Sequence, residues 1–236
     1  MLSCESKNGG RLGTVPEGIG MLNIGVLASG RGSNFQSIID SINSGFIKAV
    51  IAVLITDNPG AYAIERAKNH GIDVLIIRPG ECPDKDSYYS HISDVLKNKG
   101  VELVVLAGFM RVVGKPLIKA FPHKIMNIHP ALLPSFPGLH GQKQAIDYRV
   151  KISGCTVHFI DEGVDTGPVI VQAAVPVYED DTEDSLSERI LKQEHSVFPL
   201  AIKLFSEGKI SVEGRKVIIK ENRVDAVIIN PPIMQH

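Results

Sequence analysis

The sequence has no apolar run that approaches about eighteen residues, which excludes a transmembrane span. It has no charge excess of either sign: 25 basic and 26 acidic side chains give a net charge of -1. That balance excludes a general attraction to nucleic acid, so any anion must be met by a local site. Cysteine is scarce. Cys4, Cys82 and Cys155 are scattered, show no metal-ligand spacing, and leave an odd thiol however two of them pair. The expectation is a chain of a reducing, cytoplasmic compartment with no bound metal. No internal repeat or low-complexity tract is present. What remains is an ordinary composition, 44% hydrophobic and 22% charged over 236 residues. It suits one large domain or two small ones.

Residues 1–20 stand apart. They hold five glycines, two basic and two acidic side chains and no apolar core, so they match neither a secretory signal nor an arginine-rich transit peptide. They read as a disordered extension, and Met21, just before the first apolar run, is an alternative start. From there strands and helices alternate. Residues 22–28 form a strand-length apolar run and 35–42 place apolar residues at helical spacing. Strands follow at 49–55, 74–77 and 103–107, with helices at 61–69 and 87–99 that stop at Gly71 and Gly100. Near-continuous apolar strands between helices predict a parallel sheet covered on both faces.

The texture changes after residue 130. A loop rich in proline and glycine precedes a short helix at 142–148. Strands are expected at 156–160 and 169–177, and a long amphipathic helix at 186–206 in which Pro199 is a candidate kink. Two β-branched runs, 217–219 and 224–229, flank Glu221-Asn222-Arg223 and suggest a terminal hairpin within 211–236.

Four stretches are candidates for chemistry. In Asn127-Ile128-His129-Pro130, strand alternation sends Asn127 and His129 to one side and Ile128 into the core. Pro130 ends the strand, so an amide and an imidazole stand together at a carboxyl end, where open α/β sheets keep their sites. A solvated Asn beside a core-edge His would give the same pattern. The second stretch, Gly30-Arg31-Gly32-Ser33-Asn34, joins a strand to a helix. Its glycines and the helix N-terminus suit a phosphate, whereas Ser33 or Asn34 acting as a helix cap is the alternative. The dinucleotide pattern lacks its third glycine, because Phe35 stands there, although Asp57 after strand two could serve as a ribose-binding acid. Third, Leu106-Ala107-Gly108-Phe109-Met110-Arg111-Val112-Val113 could wall a flat heterocycle or simply be a buried strand and its loop. The turn Asp161-Glu162-Gly163-Val164-Asp165-Thr166-Gly167-Pro168 offers acids that are either turn formers or a carboxylate partner for His129. His158, alternating with Thr156, reads as structural.

These stretches together resemble the folate-dependent formyltransferases, over about residues 23–208. The resemblance rests on Ser29-Gly-Arg-Gly-Ser-Asn34, Val105-Leu-Ala-Gly-Phe-Met-Arg111 and Asn127-Ile-His-Pro-Ala-Leu-Leu-Pro134. It continues through Pro137-Gly-Leu-His140, Asp165-Thr-Gly-Pro168 and Gln193-Glu-His195. The Gly-Ser-Asn loop marks the branch that formylates glycinamide ribonucleotide in purine synthesis. The resemblance implies a Rossmann-like α/β fold with a mostly parallel sheet, helices on both faces and antiparallel strands in the C-terminal half. It implies a formyltransferase domain at 21–210, nucleotide-binding to about residue 121 and folate-binding after it. Asn127, His129 and Asp165 would be catalytic, Gly32, Ser33 and Asn34 would hold the substrate phosphate, and Glu194 the ribose. Lys85, Met110, Arg111, Val112, Val113 and Asn127 would meet 10-formyltetrahydrofolate, the co-substrate. Lys85 replaces an arginine common in the family, keeping the charge and losing the planar fork. The resemblance implies no tightly bound cofactor and no metal, nucleic-acid or membrane partner, in a monomer or homodimer.

Four rivals share parts of this pattern. A formyltetrahydrofolate hydrolase uses the same Asn-His-Asp set but usually carries an N-terminal regulatory domain, for which twenty residues are too few. A formyltransferase acting on methionyl-tRNA would bring a basic C-terminal domain. A dinucleotide-dependent oxidoreductase is disfavoured by the missing glycine. A catalytically silent nucleotide-binding module would leave the coincidence of Asn127, His129 and Asp165 without a reason.

Overall fold

The computed structural model describes residues 20–220 and 227–229. In chain order the elements begin β1 (Leu22–Leu27), α1 (Ser33–Asn43), β2 (Ala49–Thr56), α2 (Ala63–Asn69), β3 (Val74–Ile76) and α3 (Lys85–Asn98). They continue with β4 (Leu103–Leu106), α4 (Lys115–Ala120), β5 (Ile125–His129), α5 (Gly141–Asp147), β6 (Ile152–Phe159) and β7 (Val169–Pro176). Then come α6 (Glu183–Ser206), β8 (Ile210–Glu213), β9 (Lys216–Ile219) and β10 (Val227–Ile229). Eight strands form one sheet in the order β10-β7-β6-β5-β4-β1-β2-β3. From β3 to β5 every pairing is parallel, whereas β5–β6 and β6–β7 are antiparallel. The α/β architecture expected from the alternating pattern is therefore present, with its antiparallel strands after β5.

Alternation along the strands feeds two cores. Ile24, Val26, Leu103, Val105, Met126 and Ile128 pack with buried residues of α1, α2, α5 and α6. Leu27, Val104, Leu106 and Ile125 pack with α3 and α4 on the opposite face. Because α1 and α4 leave neighbouring strands for opposite faces, β1 and β4 flank a topological switch point, where α/β sheets open a crevice at their carboxyl ends. The loops that follow β1, β4 and β5 all emerge there.

Local chemistry explains the element ends. Asp84 caps α3 by accepting the Ser87 N–H at 2.7 Å. Thr182 and Ser185 form a reciprocal capping box on α6. Asp181, just before it, receives both Arg189 terminal nitrogens at 2.7 and 2.8 Å, and this pairing holds its carboxyl well below the usual range. Pro199 lies inside the continuous α6 helix and does not end it.

Two features differ from the sequence reading. The helix α4 carries a single fully buried apolar side chain, Leu117, so hydrophobic periodicity gives it no signature. The hairpin that contains 217–219 pairs β9 with β8, the strand before it. Of the second run, the described residues 227–229 instead join the main sheet parallel to β7. The proposed extension lies outside the described residues except for Gly20, as does the turn at 221–223. Among the described residues no helix is long and apolar enough to cross a membrane.

Candidate active site

The β5–β6 register assembles the centre of the site. Asn127 pairs across the ladder with His158, and His129 with Thr156, so all four share the face opposite Met126 and Ile128. His129 and His158 are buried. Asp165 reaches them from the turn between β6 and β7. Its Oδ2 stands 3.3 Å from His129 Nδ1 and accepts the Gly138 N–H at 2.8 Å. Its Oδ1 lies 3.6 Å from His158 Nε2. Both candidate readings of the acidic turn apply, to different residues. Asp161 shapes it by accepting from Gly163 N–H at 3.0 Å and Thr166 Oγ1 at 2.6 Å. Asp165, held at φ 53°, is aimed at the histidines. A Cβ on Gly167 would stand 1.8 Å from the Phe159 carbonyl oxygen, so the turn can return to the sheet only through glycine.

The two histidines have opposite hydrogen-bonding roles. His129 Nε2 is 2.8 Å from the Phe136 carbonyl oxygen while Nδ1 faces the Asp165 carboxylate, so both ring nitrogens face acceptors. His158 Nδ1 donates to the Phe159 carbonyl at 3.0 Å, which leaves Nε2 as a lone pair. Asn127 Nδ2 donates to that lone pair at 3.2 Å. Burial pushes His158 below the ordinary histidine range, outweighing the opposing charge of Asp165. A neutral His158 thus orients the Asn127 amide and leaves its second N–H available. The sequence reading of His158 as structural is incomplete, because its bond to Asn127 follows from the β5–β6 register, which a strand read alone does not state.

This depressed histidine has a consequence for stability. The unfolded chain, with a histidine pKa of about 6.5, takes up the proton before the folded chain does. The His158 contribution to stability is therefore full above about pH 6.5 and is lost as the pH falls below it, by up to about 1.4 kcal/mol per unit. Thermal unfolding at pH 7.5 and 5.5 checks this. Replacement by Gln should reduce the loss on acidification, and an unchanged loss would contradict the assignment.

The phosphate-loop candidate lies at the start of α1. Gly32 is the N-cap, at φ 68°, and no side chain caps the helix. Ser33 and Asn34 therefore do not serve as caps, and Ser33 opens the helix. A Cβ on Gly32 would stand 2.9 Å from the Ala63 Cβ, which requires glycine on space as well as on φ. Asn34 turns inward instead. Its Nδ2 donates to Glu194 Oε2 at 2.7 Å, joining α1 to α6, and both residues are buried. Burial pushes the Glu194 carboxyl above its usual range, while the bond from Asn34 acts the other way.

The third group of residues surrounds a cleft of about 520 Å³. Lys85, Met110, Arg111 and Val112 line it with Pro79, Cys82, Pro83, Asp84, Tyr88 and Tyr89. Val113 does not; it is buried against α3 and α4. Lys85 Nζ sits 6.0 Å from the centre of the Tyr89 ring. Asn127, His129 and Asp165 are not among the lining residues, but Asn127 pairs with Leu106, whose strand runs into this wall. Asp57 does not stand free as a ribose acid: its Oδ2 receives Arg111 Nε at 2.6 Å. Among the described residues no group of three or more His, Cys, Asp or Glu side chains could hold a metal ion.

Comparison with known proteins gives the family. The formyl transferase family model matches residues 22–202. The phosphoribosylglycinamide formyltransferase of Bacillus subtilis is 42% identical over 183 residues, 78% of this chain and 94% of its own length. The solved glycinamide ribonucleotide transformylase 1 of Symbiobacterium toebii is 49% identical with a TM-score of 0.84, over 85% of this chain and 95% of that one. The trifunctional purine biosynthetic protein adenosine-3 of Drosophila melanogaster is 46% identical over 187 residues, 78% of this chain. The match spans only 14% of that larger protein's length. The chain belongs to the formyl transferase family, and within it to the phosphoribosylglycinamide formyltransferases.

Proposed function

We propose that this chain transfers the formyl group of 10-formyltetrahydrofolate to the amine of glycinamide ribonucleotide by direct attack. The observation that carries the reading is the convergence of Asn127, His129 and Asp165, with His129 Nδ1 3.3 Å from the Asp165 carboxylate, at the carboxyl end of β5. Attack on the formyl carbon places charge on its oxygen, and preorganised donors aimed at that oxygen are the main requirement. The free N–H of Asn127 supplies the donor, and protonated His129, whose two ring nitrogens face the Phe136 carbonyl and Asp165, supplies positive charge beside it. Asp165 pairs with His129 Nδ1 and helps move the amine proton to the departing folate nitrogen through water. Neither step draws on a metal or a resident cofactor.

The substrate assignments follow the same edge of the sheet. Gly32, Ser33 and Asn34 hold the phosphate on the uncapped α1 terminus, where unpaired N–H groups and the helix dipole favour an anion. Glu194 meets the ribose hydroxyls. The folate lies along Met110, Arg111 and Val112, with Lys85 towards its tail and Val113 supporting the wall from the core. Residues 21–210 are the catalytic unit, nucleotide-binding to about residue 121, and 211–236 an appendage to it.

Absorbance during incubation with glycinamide ribonucleotide and 10-formyl-5,8-dideazafolate tests the reading. Turnover that requires both substrates is expected. Release of formate without the ribonucleotide would replace the transferase by a hydrolase, and no turnover by folded protein would leave a silent binding module. Replacing Ser33 by Ala should raise KM for the ribonucleotide about tenfold, the loss of one hydrogen bond to a charged group, with folate affinity little changed. Equal loss of both affinities would make the loop structural only.

A further inference from the structure

Residues 107–114, between β4 and α4, form neither helix nor strand, yet they carry the exposed Met110 and Val112 side chains of the cleft wall. An irregular segment can present such a wall only if other elements fix it. From Gly108 to Val112 its backbone is tied at three places: the Gly108 carbonyl accepts from Ser29 N–H at 3.0 Å, the Met110 N–H donates to Ser29 Oγ at 3.1 Å, and the Val112 carbonyl accepts from Tyr89 OH at 3.0 Å. Between the last two lies Arg111, whose side chain crosses to the end of β2. There Arg111 Nε donates to Asp57 Oδ2 at 2.6 Å.

That ion pair is lopsided. The Asp57 side chain is 9% exposed and the Arg111 side chain 45%. Asp57 Oδ1 is buried without a hydrogen-bond partner, and so is the hydroxyl of neighbouring Tyr88. Burial, and then the charge of Asp57, push the Tyr88 phenol up to about 12, so it is no competing anion for Arg111. The buried carboxylate therefore depends on one guanidinium for its compensation, and the guanidinium is held against one wall.

We infer that Asp57 is a positioning residue for the folate side of the reaction: its carboxylate holds Arg111 and so fixes the Met110–Arg111–Val112 wall. This rests on the reading that these residues face the folate. The acid at the end of β2 acts here through Arg111, whereas in dinucleotide-binding folds an acid at this position meets a ribose.

Steady-state kinetics of Asp57→Asn, Arg111→Met, the double variant and Val112→Asp provide the test, with direct binding of 10-formyl-5,8-dideazafolate. Asp57→Asn should raise KM and Kd for the folate analogue about tenfold, as expected for a lost charge-assisted bond. KM for the ribonucleotide should stay within about twofold, a split that general destabilisation would not give. The double variant should bind folate no worse than the worse single variant, because the two act as one unit. It should also melt above Arg111→Met, which leaves the carboxylate buried and unpaired. Unchanged folate affinity in Asp57→Asn, or an equal rise in both KM values, overturns the inference. Val112→Asp separates the two levels. If it weakens folate binding while Asp57→Asn does not, only the positioning role fails. If Val112→Asp has no effect, the folate wall is misassigned and the inference falls with it.

Discussion

An Asp165→Asn variant is expected to fold normally and to turn over about 10²–10⁴-fold more slowly than the parent chain. The substitution keeps the shape, so the Gly138 N–H still finds an acceptor where it now meets Oδ2 at 2.8 Å. Two other things change. The charge opposite His129 Nδ1 disappears, and the charge-assisted contact there is lost. The amide nitrogen then stands in place of Oδ1, facing His158 Nε2 across 3.6 Å. That lone pair is already used by Asn127, so the new donor competes for the group that orients the oxyanion amide. One substitution thus weakens both the Asn127 donor and the His129–Asp165 pair. Circular dichroism and melting temperature should match the parent, and single-turnover rates at saturating substrate should carry the loss. Near-normal turnover would remove Asp165 from the mechanism.

How much of this was legible in the sequence depended on whether a feature is local. The strands of the parallel half are short apolar runs bounded by glycine, proline or polar residues, and such runs declare themselves. Asn127 and His129 were legible for the same reason, since alternation within a single strand sets their common side. His158 was not, because its role depends on the register of β5 against β6, and a strand read alone does not state its partner. The C-terminal runs failed in the same way. Residues 217–219 and 224–229 are both rich in β-branched side chains and would suit each other, yet the first pairs with β8 and the described part of the second, 227–229, with β7. Asp57 was noticed at the right place in the fold and given the wrong partner. Arg111, 54 positions later, is brought to it only by the order β2-β1-β4 in the sheet. At α1 the competing cap was excluded by backbone geometry, since Gly32 takes the N-cap position and Asn34 turns to Glu194 on α6.

Asn127 gives the second large effect, and the order among its variants is informative. Its Nδ2 donates one N–H to His158 Nε2 at 3.2 Å, and the other N–H is the donor assigned to the developing oxyanion. Replacement by Ala removes that donor and should lower kcat by about 10²–10³, the usual cost of losing one oxyanion contact. KM for both substrates should change little, because the bond strengthens only as charge develops. Replacement by Asp should be worse than Ala at neutral pH, although it is closer in shape. A carboxylate there points negative charge at a negative oxygen and presents an acceptor to a histidine lone pair. Burial keeps His158 from taking up a proton readily, so the local structure does not easily relieve that conflict. The expected order of kcat is Asn, then Ala, then Asp, measured on variants with matched melting temperatures. An Asp variant as active as the Ala variant would mean that this position packs against the formyl group without donating to it, and the oxyanion would then rest on His129 alone.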